Sequence, residues 1–276
     1  MVAGLRDWTL DSDTKGFDVR EIIDEIVGEL TKSDREAVRM LYAYYDCENI
    51  IARRAKRERH NQLGNLSAEE VAEVLEERNY SLLTPEVAKC VKLYVEANDE
   101  EHDEEHDEET TLDASFERAI FESYYRDLAA SKCTFLKDWG AFDRNLRNIA
   151  AAIAAREAGR VVADVTVGDG EIVEQLKRST AADFGLRGEL PYVDSVISAV
   201  SDEKNIVEKE RKIDAIRWAE AEAMTSFDFF TINFILSYLV KVNIVARWTL
   251  LSPEVGREML NRLIKELDAK DLVNKQ

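Results

Sequence analysis

The sequence predicts an all-α fold, and three observations support that prediction. Proline totals three in 276 residues, strand-like alternation of apolar and polar residues is nearly absent, and helix start signals recur along the chain. Hydrophobic residues make up 45% of the chain, which is enough to fill a core. We expect long packed helices with at most short extended segments, at 1–10 and 161–170.

Four start signals place helix N-termini. The segments "SDRE" from Ser33 and "SAEE" from Ser67 fit the capping box, in which a hydroxyl and a glutamate satisfy each other's backbone donors. The segments "TPEV" from Thr84 and "SPEV" from Ser252 combine an N-cap hydroxyl with proline at the first helical position. The predicted helices are 34–59, 68–78, 85–97, 113–131, 141–157, 202–224, 227–249 and 253–268.

A short internal repeat divides the chain. The tetrapeptide Asn-Ile-x-Ala begins at Asn49, Asn148 and Asn243, with spacings of 99 and 95 residues. Asparagine inside a helix costs about 0.7 kcal/mol relative to alanine, so each copy needs a structural reason, such as a buried amide bonded to a neighbouring backbone. The alternative is three unrelated helices that share a tetrapeptide by coincidence. The repeat interpretation predicts three pseudo-repeated helical subdomains, at 1–110, 111–185 and 186–276.

The acidity of the chain is concentrated in one segment. The formal charge is −19, and nine of the acidic residues lie between Asp99 and Glu109, where Asp-Glu-Glu-His recurs at a period of four. Such an excess of acid argues against nucleic-acid binding, which depends on lysine and arginine. In a helix, His102 and His106 would lie one turn apart and could chelate zinc or nickel. Because neighbouring carboxylates repel each other, we favour a charged connector between the first two subdomains and assign no metal site.

The compartment is expected to be cytoplasmic. The three cysteines, Cys47, Cys90 and Cys133, are isolated and lack metal or redox spacing, which is typical of a reducing environment. The first residues lack the features of a signal peptide. The most apolar run, at 229–240, has only 12 residues, whereas a membrane span needs about 20. We therefore expect a buried helix there and a protein that does not span a membrane.

No catalytic or cofactor-binding residue is assigned. Two of the three histidines fall in the acidic segment, which leaves little for a histidine-centred site. The segment "VGDGEIVEQL" at 167–176 places glycines before a helix, but it lacks the spacing and the lysine of a phosphate loop. The sequence thus predicts a non-enzymatic protein that needs no cofactor.

Two further groups of residues allow more than one interpretation. A basic cluster could receive an acidic partner or lipid headgroups, or could simply complement the negative end of a helix dipole. It comprises Arg53, Arg54, Lys56, Arg57, Arg59 and His60. An aromatic group is expected to fill the core, because a base-stacking surface would need accompanying positive charge. It comprises Trp139, Trp218, Trp248, Phe227, Phe229, Phe230 and Phe234.

Several stretches carry a resemblance to a known family. They are "VAGLRDWTLD" at 2–11, "LTKSDREAVRMLYAYYDCENI" at 30–50, "DFGL" at 183–186, "EKERKIDAIRW" at 208–218 and "YLVKVNIVARWTLLSPEVGREML" at 238–260. The three-fold repeat and the Asp46-Cys-Glu-Asn49 pattern resemble the C subunit of V-type (V/A) ATPases, the counterpart of the eukaryotic d subunit. The five stretches resemble still more an uncharacterised bacterial family associated with these ATPases.

The resemblance implies a funnel of three helical subdomains that sits on the membrane rotor ring and receives the foot of the central shaft. Such a central-stalk component transmits torque and carries no catalytic residue. It would lie in the cytoplasm, peripheral to the inner face of the membrane. Two alternatives remain: a generic helical adaptor for another protein, and a metal-binding bundle that uses His102 and His106.

Overall fold

The computed structural model describes residues 4–10, 16–100, 109–202 and 205–250, with side chains placed throughout except at 98–100, 109–114, 202 and 250. These residues form ten α-helices and no strand, which confirms the all-α prediction. The helices are α1 (Val19–Glu29), α2 (Lys32–Arg54), α3 (Ala68–Glu76), α4 (Pro85–Glu100), α5 (Glu109–Ala130), α6 (Thr134–Glu157), α7 (Glu171–Arg178), α8 (Val193–Ile197), α9 (Ile206–Ala223) and α10 (Ile232–Leu250).

The predicted helix starts are correct in two places and wrong in one. Ser67 forms the predicted capping box with Glu70 at the start of α3. Helix α4 begins at Pro85, as "TPEV" predicts. The Ser33 capping box is wrong, because α2 begins earlier and Thr31 is its N-cap, with Thr31 Oγ1 accepting from Asp34 N at 3.3 Å. A threonine two residues upstream competes successfully for the same role.

Other boundaries also differ from the prediction. Helices α1 and α8 were not predicted, and α10 begins at Ile232 rather than at 227. In place of an extended segment, Val162–Asp164 forms a single 3-10 turn. The predicted helix at 253–268 and its start at Ser252 lie outside the described residues.

The chain divides into two compact units, the first formed by Met1–Glu29 and Tyr238–Gln276. In this first unit, Trp8 is buried and its indole Nε1 donates to Tyr238 Oη at 3.1 Å. Phe17 meets the indole edge to face, and the Arg6 guanidinium lies 4.1 Å from the indole centroid. These contacts explain how residues 4–10, which form no α-helix, are held in place.

The second unit, Leu30–Ser237, contains helices α2 to α9 and the first residues of α10. Helix α5 contacts α2, α4 and α6, while α6 also contacts α7 and α8. The core along α6 includes fully buried Leu136, Leu146 and Ile149. The predicted boundaries after residues 110 and 185 both fall inside this unit, and the division into three repeats stays a prediction.

Among the described helices, none combines the length and the apolar character that crossing a membrane requires.

Candidate protein-interaction surface

Two of the three repeat asparagines hold loops by the same pair of hydrogen bonds. Asn49, buried in α2, donates from Nδ2 to Asn61 O at 3.0 Å and accepts at Oδ1 from Asn61 N at 2.6 Å. Asn148, buried in α6, donates to Val167 O at 2.9 Å and accepts from Val167 N at 2.8 Å. Each amide therefore fixes the backbone that leads into the next short helix, α3 or α7. Asn243 is also buried, and its equivalence to the other two stays a prediction.

Asp46, one turn before Asn49, holds the same loop. Its carboxylate accepts from Leu66 N at 3.0 Å and from Asn65 Nδ2 at 2.6 Å. Burial raises the pKa of Asp46 despite these hydrogen bonds. A Cβ on Gly64 would lie 2.8 Å from both Asp46 Oδ1 and Asn49 Nδ2, so the loop approaches α2 this closely only with glycine there. The Asp46-Cys-Glu-Asn49 pattern thus has a local structural reason.

An ionic network centred on buried Asp143 joins four helices, and no sequence pattern predicts it. Asp143 on α6 accepts from Tyr125 Oη and Arg147 Nε, both at 2.8 Å, and from Arg217 Nε on α9 at 3.2 Å. Asp214 accepts from Arg217 Nη1 at 3.0 Å. The Arg147 guanidinium also stacks 4.5 Å from the ring centroid of Tyr44 on α2.

The electrostatics of this network suit a packing role. Burial alone would raise the pKa of Asp143, but the charges of Arg147 and Arg217 and the hydrogen bonds from Arg147 and Tyr125 lower it to about 2. Asp143 is therefore ionised throughout the physiological range. A carboxylate paired on both oxygens holds its helices together and offers no free group for acid or base chemistry.

The four residues 227–230, which we call the aromatic turn, expose three phenylalanines. Phe227 is 92% exposed, Phe229 64% and Phe230 80%, so the prediction that they fill the core is wrong. The physical reason is that α10 begins only at Ile232, which leaves these residues in a turn instead of on the buried face of a helix. Of the remaining aromatic group, Trp139 is buried, whereas Trp218, Trp248 and Phe234 are half-buried.

The aromatic turn is anchored at both ends. Asp228 N donates to Thr225 O at 3.0 Å, and the Asp228 carboxylate accepts from Asn233 Nδ2 at 2.7 Å. Asn233 Oδ1 in turn accepts from Phe135 N, at the start of α6, at 3.4 Å. On the other side, Thr225 Oγ1 donates to Ala221 O at 3.1 Å. The polar residues of the turn thus face inward while its phenylalanines face solvent.

Phe230 adopts a backbone conformation that bulky residues avoid. Its φ is +64°, in the left-handed region that glycine and asparagine occupy at little cost. Because Phe230 is also exposed, core packing does not compensate for the strain. Strain at an exposed aromatic residue is typical of a site kept for binding instead of stability.

The aromatic turn lies in an acidic part of the sequence. From Ala219 to Val240 there is no lysine or arginine, while Glu220, Glu222 and Asp228 are acidic. Two exposed lysines, Lys132 and Lys137, lie on either side of Phe135, whose N–H donates to Asn233. The segment that carries the turn therefore supplies no cation of its own that would favour anionic lipid.

Three other sequence predictions concern charge, phosphate and metal. Of the basic cluster, Arg53 pairs with Glu76 at 2.6 Å. The residues at 167–176 form a turn followed by α7, as expected for a plain helix start. In the described part of the chain, no group of three or more His, Cys, Asp or Glu side chains could hold a metal ion. His102 and His106 lie outside the described residues.

A family model described as "Protein of unknown function (DUF2764)" matches residues 1–270. The chain belongs to the DUF2764 family. No curated protein and no solved structure gives a significant match to this DUF2764 chain. The assignment to the C subunit family of V-type ATPases is therefore wrong, since the family model that covers almost the whole chain is a different one. Of the stretches that suggested a V-type ATPase family, 30–50 and 208–218 fall largely in α2 and α9, and helices of this kind recur in unrelated all-α proteins.

Proposed function

We propose that this DUF2764 protein is a non-catalytic helical adaptor that binds a partner protein through the aromatic turn. The observation that carries the proposal is the exposure of Phe227, Phe229 and Phe230 on a turn whose polar groups are directed inward. Single exposed apolar residues are ordinary, but contiguous large ones mark interaction sites on folded proteins.

The energetics of the turn support binding. Burying one phenylalanine contributes roughly 1.5–3 kcal/mol, so burying three can supply much of a micromolar affinity of about 8 kcal/mol. The anchors at Thr225 and Asn233 hold the turn in place before binding, which lowers the ordering entropy lost in the complex. The partner should present an apolar groove, because the turn has few groups that could satisfy polar ones.

As the partner, we propose the central stalk of a V-type ATPase, where the protein would couple the rotating shaft to the membrane ring. This role does not need membership of the C subunit family. It is supported by the rigid helical body, in which the Asp143 network and the loops fixed by Asn49 and Asn148 resist deformation. It also implies a position in the cytoplasm at the inner face of the membrane.

The first experiment measures binding to purified V-type shaft and ring proteins by biolayer interferometry. We expect wild type to bind one of them and the F227S/F229S/F230S variant to bind at least a hundredfold more weakly. A matched variant, L93S/V161S, removes exposed apolar residues elsewhere and should bind as wild type. Absence of wild-type binding to every stalk protein would overturn the V-type role.

The adaptor proposal itself has a separate test. A photoreactive phenylalanine analogue placed at position 229 should crosslink in cells to one defined protein, whereas the same analogue at exposed Glu189 should not. The F227S/F230S background should abolish the crosslink. If position 229 yields no protein adduct, or yields lipid adducts only, the adaptor function through this turn is refuted.

A further inference from the structure

The C-terminal end of α2 carries a group of cations, which we call the α2 cationic end: Arg53, Arg54, Lys56, Arg57 and Arg59. Helix α2 ends at Arg54, and the chain then reverses, with Lys56 at φ +52° and Arg57 N donating to Ala52 O at 2.8 Å. All but Arg54 are exposed. This is a concentrated positive feature on a chain with a formal charge of −19.

Two of these cations have partners within the protein. Arg53 pairs with Glu76, and the Arg54 guanidinium lies 4.5 Å from the ring centroid of Phe116. Lys56, Arg57 and Arg59 form no ion pair with any residue that the structure describes. Exposed cations of this kind keep their charge available for another molecule.

An apolar recess adjoins these free cations. Ile51 and Ala55 from α2 and Phe116 from α5 line it, and Arg54, Arg57 and Glu117 complete its wall. Its floor is apolar but narrow, because Ile51 and Phe116 are buried, and its edge is mostly cationic. A ligand that matches it carries an apolar group next to negative charge.

The helix dipole explains only part of the cluster. Cations in the last turn of a helix are favoured by its negative end, and the effect falls off beyond that turn. Arg53 and Arg54 lie in the last turn of α2, whereas Lys56, Arg57 and Arg59 lie after it. The recess and the three unpaired cations beyond the helix therefore need another explanation.

We infer that the α2 cationic end and its recess form a second docking surface, which binds an acidic protein segment that contributes one apolar side chain. Carboxylates of the segment would pair with Lys56, Arg57 and Arg59, and the apolar side chain would rest at the mouth of the recess against half-buried Ala55. Three free cations are few for a phosphate backbone, which is usually met by 6–10 contacts. The recess would add an apolar contact to the register that the charge pairs set.

The experiment uses the full-length protein and a fluorescein-labelled peptide with a single leucine between two runs of four glutamates. Binding is followed by fluorescence anisotropy. We expect the K56E/R57E variant to bind at least tenfold more weakly than wild type. The control K132E/K137E, which changes the net charge equally at exposed sites elsewhere on the protein, should lose less than threefold. Replacing the peptide leucine by glycine should weaken binding to wild type about fivefold.

Three outcomes would overturn the inference: no peptide binding by wild type, an equal loss in K56E/R57E and K132E/K137E, or no effect of the peptide leucine. A further arm uses vesicles containing 30% phosphatidylserine. If wild type binds the vesicles but not the peptide, and K56E/R57E abolishes vesicle binding, the surface is assigned to lipid instead. The F227S/F229S/F230S variant should bind the peptide as wild type does, so failure here is distinguishable from failure of the aromatic turn.

Discussion

At the scale of single residues, two buried asparagines show how polar side chains fix the loops of this fold. Asn49 and Asn148 each sit at a helix position where asparagine is locally unfavourable. Each offsets that cost by satisfying both the N–H and the carbonyl of one loop residue, Asn61 or Val167. A buried amide has a donor and an acceptor side by side, which matches the backbone groups of a single residue.

We expect Asn148→Ala to lower the free energy of unfolding by about 2–3 kcal/mol, because both backbone groups of Val167 lose their partner. Asn49→Ala should cost a similar amount. The measurement is urea denaturation followed by circular dichroism. As a control, the exposed Asn205→Ala change removes a helix N-cap and should cost only about 1 kcal/mol. A loss below about 1 kcal/mol for both buried asparagines would contradict the clamp role.

The Asp143 network predicts a specific dependence of stability on pH. The pKa of Asp143 falls from its ordinary value of 3.8 to about 2 in the folded protein. A lowered pKa stabilises the fold above pH 3.8, and this contribution is lost as the pH falls towards 2. The difference of about 1.8 between the two pKa values corresponds to about 2.4 kcal/mol, since a pKa difference of one is worth about 1.4 kcal/mol.

Between about pH 5 and pH 2, wild type should therefore lose about 2 kcal/mol more stability than Asp143→Asn does. At about pH 7, Asp143→Asn should itself cost about 1.5–3 kcal/mol, because Arg147 and Arg217 lose a charged acceptor, although Arg147 is 41% exposed and Arg217 keeps Asp214. Urea midpoints measured across this pH range test both statements. The exposed Asp138→Asn change on the same helix should keep the wild-type pH dependence. Parallel pH curves for wild type and Asp143→Asn would refute the assignment.

At the scale of helices and loops, the start of α4 shows what the sequence could and could not predict. The "TPEV" segment correctly marks the first residue, because proline favours the first helical position wherever the helix goes next. The capping group, however, is not the adjacent Thr84, whose Oγ1 is buried without a hydrogen-bond partner among the described residues. Asp127 on α5 caps α4, accepting from Glu86 N at 3.0 Å and from Val87 N at 3.3 Å.

The sequence predicts that Thr84 stabilises α4 as its N-cap, whereas the structure assigns that role to Asp127. Asp127→Ala should lower the free energy of unfolding by about 2 kcal/mol or more, since two N–H groups lose a charged acceptor. Thr84→Val should be neutral or slightly stabilising, because it replaces an unsatisfied hydroxyl with a methyl group of similar shape. Thermal and urea unfolding of the two variants decide between the caps. A destabilisation by Thr84→Val that exceeds the effect of Asp127→Ala would contradict the structure.

The aromatic turn, near the C-terminal end of the second unit, is another element that local sequence pattern does not predict. Its three phenylalanines precede an apolar run, so local pattern alone continues α10 back to residue 227. The turn forms because Asp228 and Asn233 bond to each other and Asn233 also bonds to Phe135, which is 98 residues away. Contacts at that separation leave no periodic signal in the sequence. The sequence therefore predicts helix α10 here, but it does not predict that the three phenylalanines are exposed.

At the scale of the whole molecule, the chain combines a helical interior that the sequence predicts with two surface features that core packing does not require. The aromatic turn offers apolar area on a segment without lysine or arginine, and the α2 cationic end offers positive charge beside a recess with an apolar floor. Both surfaces belong to the second unit. Two surfaces of different chemistry are what an adaptor needs in order to hold two partners without exchanging them.

Residues kept for binding should be separable from residues kept for stability. Replacing Phe230 by glycine should raise the free energy of unfolding by about 0.5–1 kcal/mol, because glycine adopts a φ of +64° without strain. The same change should weaken partner binding, since it removes one of three exposed rings. Asn79, which also lies outside the α-helices but makes its own hydrogen bonds, serves as a control position: Asn79→Ala should leave binding unchanged. A variant that is more stable and binds less well would show that strain at Phe230 serves recognition, whereas a loss of stability would show that the ring supports the fold after all.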